Sequence, residues 1–219
     1  MRDYGIGGRN RVRQQRDHAR YERGIVHGVL DAGLVAHVGF VSERQPFVMP
    51  MLYAREDESL YLHGARRARI VRLLESGTAV CANVTLLDGI VVARSAFNSS
   101  MNYRSAVVFG TARLIDDPQE RLRALKVISD HVLPGRWGEL RAPTERELAA
   151  TGVIELRIES ASAKLSEGPP EDDEADYALP VWAGVVPVTT RLGRPEPDPR
   201  LDTGIAMSAA VAALEAKQL

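Results

Sequence analysis

The chain has 219 residues, of which 45% are hydrophobic, so it can bury a continuous core in one large domain or two small ones. Its 28 basic residues nearly balance 29 acidic ones, and the formal net charge of -1 excludes a global field that would attract nucleic acid or an anionic membrane. A single cysteine, Cys81, excludes an intramolecular disulfide, and neither a cleavable signal peptide nor a membrane helix is visible, so we expect a soluble, cytoplasmic protein.

The composition predicts three regions. Residues 1–20 are rich in arginine and poor in apolar residues, which predicts a flexible arm. This arm has no recognition helix, so nucleic-acid binding is not expected. Residues 21–190 are predicted to form the folded domain, and residues 191–219 a C-terminal tail that can become helical.

Three segments have the features of helices. Residues 21–32 repeat apolar side chains at helical spacing, and residues 66–76 follow directly after a predicted strand. Residues 116–133 begin with an Asp-Pro pair, which suits a cap and a first turn, and then repeat apolar residues at helical spacing. The following segment, 133–151, is predicted to be a loop with one further short helix.

Short runs rich in β-forming residues fill most of the rest of the domain. Turn signals such as "SERQ", "REDES" and "LDG" separate several of them. The predicted strands are residues 34–42, 45–54, 59–64, 78–87, 89–97, 103–115 and 151–165. This arrangement predicts a mainly β, α+β protein whose antiparallel sheet closes into a small barrel.

Several common catalytic motifs are missing from the sequence. No His or Cys pair has metal-ligand spacing, and there is no G-x-S-x-G elbow, P-loop or dinucleotide-binding glycine motif after a strand. The sequence therefore predicts no metal site, and hydrolase, kinase and Rossmann functions are not favoured.

A strand followed at once by an arginine-rich helix gives the first positive signal. The strand ends at His63 and Gly64, and Arg66, Arg67 and Arg69 follow. Backbone N–H groups at a helix start and guanidinium groups together suit a phosphate. The alternative is that these arginines are solvated residues of a surface helix.

Two further segments have the character of a ligand site. Met49 and Met51 flank Pro50, which cannot donate to a β-ladder and so suggests an edge strand or a bulge. A strand whose backbone is partly unpaired can hydrogen-bond a flat ring with polar edges. The alternative is that both methionines only fill the core. Trp182 follows an acidic loop and can cover an aromatic ligand, although a lone tryptophan is usually structural.

The polar stretch "FNSSMNYRS", residues 97–105, interrupts a run of apolar strands. Strand alternation would direct Asn102 and Arg104 to one side and Tyr103 and Ser105 to the other. Polar groups are costly to bury unless an interface or a ligand supplies partners.

The order of these segments resembles the pyridoxamine 5'-phosphate oxidase-like superfamily of FMN-binding split barrels, in particular its flavin-nucleotide-binding branch related to the nitroimidazole-resistance proteins. The residues that carry the resemblance are "GLVAHVGFV", "PFVMPMLYA", "LYLHGARRARIVRLL", "VTLLDGIVVARSAFNSSMNYRSAVVFGTARLI" and "DYALPVWAGVVP". The resemblance implies a split barrel of six to seven strands with flanking helices. It also implies a homodimer with FMN in a groove between the two protomers.

The resemblance further implies which residues contact FMN. Residues 49–53 would lie along the isoalloxazine ring, residues 62–64 would border the ribityl chain, and Arg69 would pair with the phosphate. Arg66 or Arg67 would compensate for hydroxyl groups that relatives often carry where this chain has Ala65 and Ala68. The full predicted set is Met49, Pro50, Met51, Leu52, Tyr53, Leu62, His63, Gly64, Arg66, Arg69, Asn102, Tyr103, Arg104, Ser105 and Trp182.

The activity that follows from the resemblance is an FMN-dependent oxidation or reduction of an unidentified small molecule. Pyridoxamine phosphate is not the expected substrate, because the basic C-terminal residues of the true oxidases have no match. No catalytic acid or base is assigned, and His63 is the first candidate for one. The alternative function is a non-catalytic flavin-binding or haem-binding protein, in which His37 or His63 would serve as the axial ligand.

Overall fold

A computed structural model describes residues 3–74 and 76–215 of the chain. The chain divides into two compact units. Unit 1 comprises Met1–Gly33, Asn83–Val108 and Ser160–Thr189, and unit 2 comprises Leu34–Ala82, Phe109–Glu159 and Thr190–Leu219.

Within the described residues there are eight strands and five α-helices. The strands are β1 (Ala19–Arg20), β2 (Val35–Ser42), β3 (Gln45–Glu56), β4 (Ser59–Ala65), β5 (Ser76–Val92), β6 (Ser100–Leu114), β7 (Thr151–Ser166) and β8 (Gly184–Pro187). The helices are α1 (Arg23–Ala32), α2 (Arg69–Leu74), α3 (Pro118–Val132), α4 (Glu145–Ala150) and α5 (Ala209–Ala212). None of these helices is long and apolar enough to span a bilayer.

The strands pair in the order β1-β7-β4-β3-β2-β5-β6, and β8 adds to β5. Strand β7 also pairs with β6, so six strands form a closed cycle of pairings. Five pairings, β1–β7, β2–β3, β3–β4, β4–β7 and β5–β8, have an antiparallel register. The predicted mainly β fold with flanking helices is therefore confirmed.

Strand β5 corrects the prediction of two separate strands on either side of the "LDG" turn. Asp88 and Gly89 lie inside one continuous strand, and Gly89 is opposite Pro187 of β8. A Cβ atom at Gly89 would lie 2.9 Å from Val185 Cγ1. The glycine is thus explained by the close approach of β8 rather than by a turn.

In unit 2, α3 packs against β3 and β4. Side chains alternate along a strand, so Tyr61 and His63 of β4 share the face that lies toward α3. Asp117 caps α3 by accepting a hydrogen bond from the Glu120 N–H at 2.7 Å. The buried cluster that joins these elements consists of Ala54, Tyr61, Ile115, Ala124, Ile128 and Val153.

In unit 1, the N-terminal segment is held by buried side chains. The Tyr4 hydroxyl lies 3.0 Å from His27 Nε2 of α1. The Asn10 amide donates to the carbonyl of Ala161 at 2.9 Å, and Ala19 pairs with Lys164 of β7. The segment preceding α1 therefore has fixed contacts at Tyr4 and Asn10.

Candidate functional site

A cavity of about 600 Å³ lies in unit 2, between α3, α4 and the strands β3 and β4. Its size is that of a pocket for a cofactor or another ligand of similar bulk. Its walls are mostly apolar. The lining residues are Leu52, His63, Leu125, Ile128, Ser129, Val132, Leu133, Trp137, Leu140, Arg141, Pro143, Glu147, Leu148 and Thr151.

His63 supplies an imidazole to this cavity. Its neighbour on the same strand face, Tyr61, receives a hydrogen bond from Arg123 at 2.8 Å, whereas the buried Nδ1 of His63 has no hydrogen-bond partner among the described residues. Burial lowers the pKa of His63, so the ring is neutral at neutral pH. A neutral imidazole that lines an apolar pocket is a candidate metal ligand or proton acceptor.

The inner wall of the cavity is formed by α3. Leu125, Ile128, Ser129 and Val132 recur at intervals of three and four residues and therefore lie on one face of this helix. Arg121 connects α3 to α4 by donating to the Leu148 carbonyl at 3.2 Å. This hydrogen bond links the two helices that line the cavity.

The connection between α3 and α4 completes the wall. Trp137 lies in a short 3-10 turn, Arg136–Glu139, and contributes the largest aromatic surface in the lining. Arg141 and Glu147 place an ion pair at the cavity, with N–O distances of 2.9 and 2.5 Å. Both side chains are largely exposed, so this polar end of the cavity faces water.

Of the residues predicted to contact a flavin, those on β3 differ in exposure. Met49 and Pro50 are exposed, Met51 and Leu52 are half-buried, and Tyr53 is fully buried. Leu52 also lines the cavity of unit 2. The exposed apolar part of β3 therefore precedes the part that packs in the core.

On β4 and α2, the predicted contacts also separate into core and surface. Leu62 is fully buried and Gly64 is half-buried. A Cβ atom added at Gly64 would lie 3.4 Å from Val71 Cγ2. The Arg66 N–H donates to the Ala150 carbonyl at 2.8 Å. Arg69 is exposed and its guanidinium carbon lies 4.5 Å from the centre of the Phe47 ring.

In unit 1, Asn102 and Arg104 line a second cavity, of about 310 Å³. They lie on the same side of β6, as strand alternation predicts. Arg104 donates two hydrogen bonds to the carboxylate of Asp88, at 2.9 and 2.8 Å, and these raise the pKa of Arg104. The other lining residues are Leu165, Ser166 and Glu167.

The other predicted residues of unit 1 have separate surroundings. Ser105 donates to the Lys164 carbonyl at 3.4 Å, and Tyr103 is half-buried. Trp182 is 66% exposed, and its ring lies against the backbone of Gly184, where a Cβ would come within 3.0 Å. Trp182 thus covers β8 with one side and leaves much of its surface open.

Two other observations bear on metal binding. His37, the second histidine considered as an axial ligand, is exposed on β2 rather than in a cavity. Among residues 3–74 and 76–215, no group of three or more His, Cys, Asp or Glu side chains could hold a metal ion.

Sequence reasoning missed the walls of the large cavity. It identified His63, Leu52 and the helical spacing of α3, but not Ser129, Trp137 or Arg141. Apolar residues that line a cavity have the same spacing as residues that fill a core. The one local signal was Trp137, a bulky aromatic in a segment predicted to be mostly loop.

Comparisons with known proteins relate the chain to flavin-dependent and haem-containing proteins. The sequence profile of the family described as pyridoxamine 5'-phosphate oxidase matches residues 22–165. The flavocytochrome Anf3 from Azotobacter vinelandii is 39% identical, with 96% of this chain and 98% of that chain covered and a TM-score of 0.91. A protein from Mycobacterium smegmatis described as FAD and heme binding is 38% identical, with 91% and 98% coverage and a TM-score of 0.88.

A more distant structure shares the fold alone. It is a protein from Bacteroides thetaiotaomicron described as a 5-nitroimidazole antibiotic resistance protein, 19% identical, with 67% of this chain and 85% of that chain covered and a TM-score of 0.56. A comparison with curated proteins gave no significant match.

Proposed function

The chain belongs to the pyridoxamine 5'-phosphate oxidase family, and from this premise we propose that it binds both a flavin and a haem and acts as an oxidoreductase on an unidentified small molecule. The observation that carries the haem part is the imidazole of His63 in an otherwise apolar cavity of about 600 Å³. The haem alternative of the sequence analysis thus becomes part of the main proposal, with His63 rather than the exposed His37 as the axial ligand.

The residues of the cavity fit a haem. A haem needs a flat apolar space, an axial ligand for its iron and a polar edge for its carboxylates. His63 lines the cavity, and burial lowers its pKa, which keeps the ring neutral and able to coordinate iron. Leu125, Ile128 and Trp137 would exclude water from the ring, and the ion pair of Arg141 and Glu147 provides a polar end.

Two relatives that are 38% or more identical support the pair of cofactors, since one is called a flavocytochrome and the other an FAD and heme binding protein. When bound, haem iron exchanges single electrons and a flavin exchanges one or two. The chain's own residues would hold the two groups, and the apolar walls of the cavity would keep water away from the haem ring.

For the flavin, the fit rests on the exposed end of β3 and the neighbouring arginines. The guanidinium carbon of Arg69 lies over the Phe47 ring, 4.5 Å from its centre, and the N–H groups of this arginine would pair with a phosphate. Met49 and Pro50 offer an exposed apolar strand for the ring. The sequence resemblance predicts FMN, and the Mycobacterium relative favours FAD, which we take as the first candidate.

We propose that a second copy of the chain covers the flavin. Several large apolar side chains are exposed, and an interface with a second copy would remove them from water. Val48 on β3 is 66% exposed and Phe97, before β6, is 92% exposed. Asn102, Tyr103, Arg104 and Ser105 would then reach the flavin from the partner protomer, and Trp182 would approach the dimethylbenzene side of its ring.

The test is the cofactor content of the purified protein after reconstitution with hemin and with either FAD or FMN. Gel filtration should retain one haem and one flavin per chain, and extraction followed by chromatography identifies the flavin. Sedimentation of the loaded protein should give a dimer. A protein that retains flavin but no haem contradicts the haem part, and one that retains neither contradicts the whole proposal.

A further inference from the structure

The cavity of unit 2 has a polar end formed by residues other than His63. Arg141 and Glu147 are the two charged side chains among the described residues that line it. Two guanidinium nitrogens of Arg141 bind the two carboxylate oxygens of Glu147, at 2.9 and 2.5 Å. The Arg141 side chain is 68% exposed and that of Glu147 49% exposed, so the pair lies where the cavity meets solvent.

Glu147 has a second set of contacts that does not depend on Arg141. Its carboxylate accepts a hydrogen bond from the Thr144 N–H at 2.8 Å, and its own N–H donates to the Thr144 hydroxyl at 3.3 Å. This reciprocal pair is a capping box at the start of α4. Arg141 can therefore leave Glu147 without uncapping the helix.

The exchange of one carboxylate for another at Arg141 costs little. An ion pair between exposed side chains contributes little to stability, because water screens both charges. A ligand carboxylate held at the edge of an apolar cavity is less hydrated, and its hydrogen bonds with a guanidinium group are correspondingly stronger. Hydrogen bonds from Arg141 and Thr144 lower the pKa of Glu147 to about 2, so Glu147 stays ionised and only another anion can take its place near neutral pH.

We propose that Arg141 anchors a carboxylate of the ligand in this cavity. In the structure Arg141 pairs with Glu147, and it exchanges this partner for the ligand carboxylate when the ligand enters. The ligand class is a flat apolar molecule with ionised carboxylates on its edge. Resting on the proposed function, the carboxylate is a haem propionate. The contribution of Arg141 to haem affinity is then the difference in free energy between its pairing with the propionate and its pairing with Glu147.

The experiment measures the affinity of two probes, hemin and hemin dimethyl ester, by Soret titration of three variants and the unaltered protein. Arg141→Gln should weaken hemin binding about tenfold, the loss of one charge-assisted interaction, and leave ester binding unchanged. Glu147→Gln keeps the capping box, because glutamine also serves at that position, and should strengthen hemin binding roughly threefold without affecting the ester.

Arg146→Gln is the matched control, because Arg146 is an exposed arginine of α4 that does not line the cavity. It removes the same charge and should change neither affinity. Equal hemin affinities for the unaltered protein and Arg141→Gln overturn the proposal while haem binding stands. Equal losses for hemin and ester also overturn it, since the ester has no free carboxylate. If the unaltered protein binds neither probe, the proposed haem function falls together with the anchor.

Discussion

The cavity of unit 2 and the exposed end of β3 differ in how much of a site the chain completes by itself. The cavity has an imidazole, apolar walls and a polar end, all from one unit. The end of β3 has exposed apolar residues such as Val48 and Met49 and a neighbouring arginine, Arg69, but no covering wall within the chain's described residues of unit 2. Haem affinity should therefore depend on the residues of a single chain. Flavin affinity should depend also on the presence of a second copy of the chain.

The largest expected effect comes from filling the cavity. Ser129→Trp places a bulky ring at the α3 wall and should weaken haem binding about a hundredfold, because overpacking costs up to about 3 kcal/mol. Flavin retention should stay unchanged. Lys126→Trp on the exposed side of α3 is the control. Haem titration of the two variants makes the check, and normal haem uptake by Ser129→Trp would mean that the haem lies elsewhere.

A smaller effect is expected at the flavin phosphate. Arg69→Ala should lower flavin affinity about tenfold, which corresponds to about 1.5 kcal/mol for a hydrogen bond to a charged group. Haem affinity should not change. Arg72→Ala, an exposed arginine of the same helix, is the control. Fluorescence titration with FAD and FMN measures both variants, and equal affinities for Arg69→Ala and Arg72→Ala would exclude Arg69 as the phosphate ligand.

The smallest effect is a pH dependence of the haem-free protein. Burial lowers the pKa of His63 below its ordinary 6.5, so between these two values the unfolded chain binds more protons than the folded one. The free energy of unfolding should therefore decrease as the pH falls below about 6.5. A full difference of one bound proton would change the free energy of unfolding by roughly 1.4 kcal/mol per pH unit. Because the ring is only half-buried, its pKa shift is limited and the change per pH unit is a fraction of this value.

His63→Leu tests this linkage, because it removes the titrating group and keeps an apolar side chain. Urea unfolding at pH 7.5 and pH 5.5 should show a smaller loss of stability in the variant than in the unaltered protein. An identical loss in both would mean that His63 is not kept neutral by burial.

Much of the fold could be predicted from the sequence, because local patterns determine it. The β-forming residues and flanking turns of β3 and β4 and the Asp-Pro start of α3 are local signals, and the structure has these elements within a few residues of the predicted bounds. Strand β5 was not predicted as one strand, because Gly89 has a role only in the presence of β8. A glycine that permits close approach has the same local sequence as one that forms a turn.

The site was predicted less completely for a similar reason. Its walls come from segments far apart along the chain, so no local pattern joins His63 with Trp137 or Arg141. The contact of Arg69 with Phe47 likewise connects two elements that are distant in sequence. The assignments of Met49, Arg69, Asn102 and the other flavin contacts stay predictions from the family resemblance.

The central claim is that His63 holds a haem inside the cavity of unit 2. The most direct measurement is the Soret spectrum of His63→Ala and His37→Ala after reconstitution with hemin. His37 is exposed on β2, so His37→Ala should bind haem with the spectrum of the unaltered protein. His63→Ala should lose the Soret band of imidazole-ligated haem, and a His63→Ala protein with an unchanged band and affinity would contradict the account.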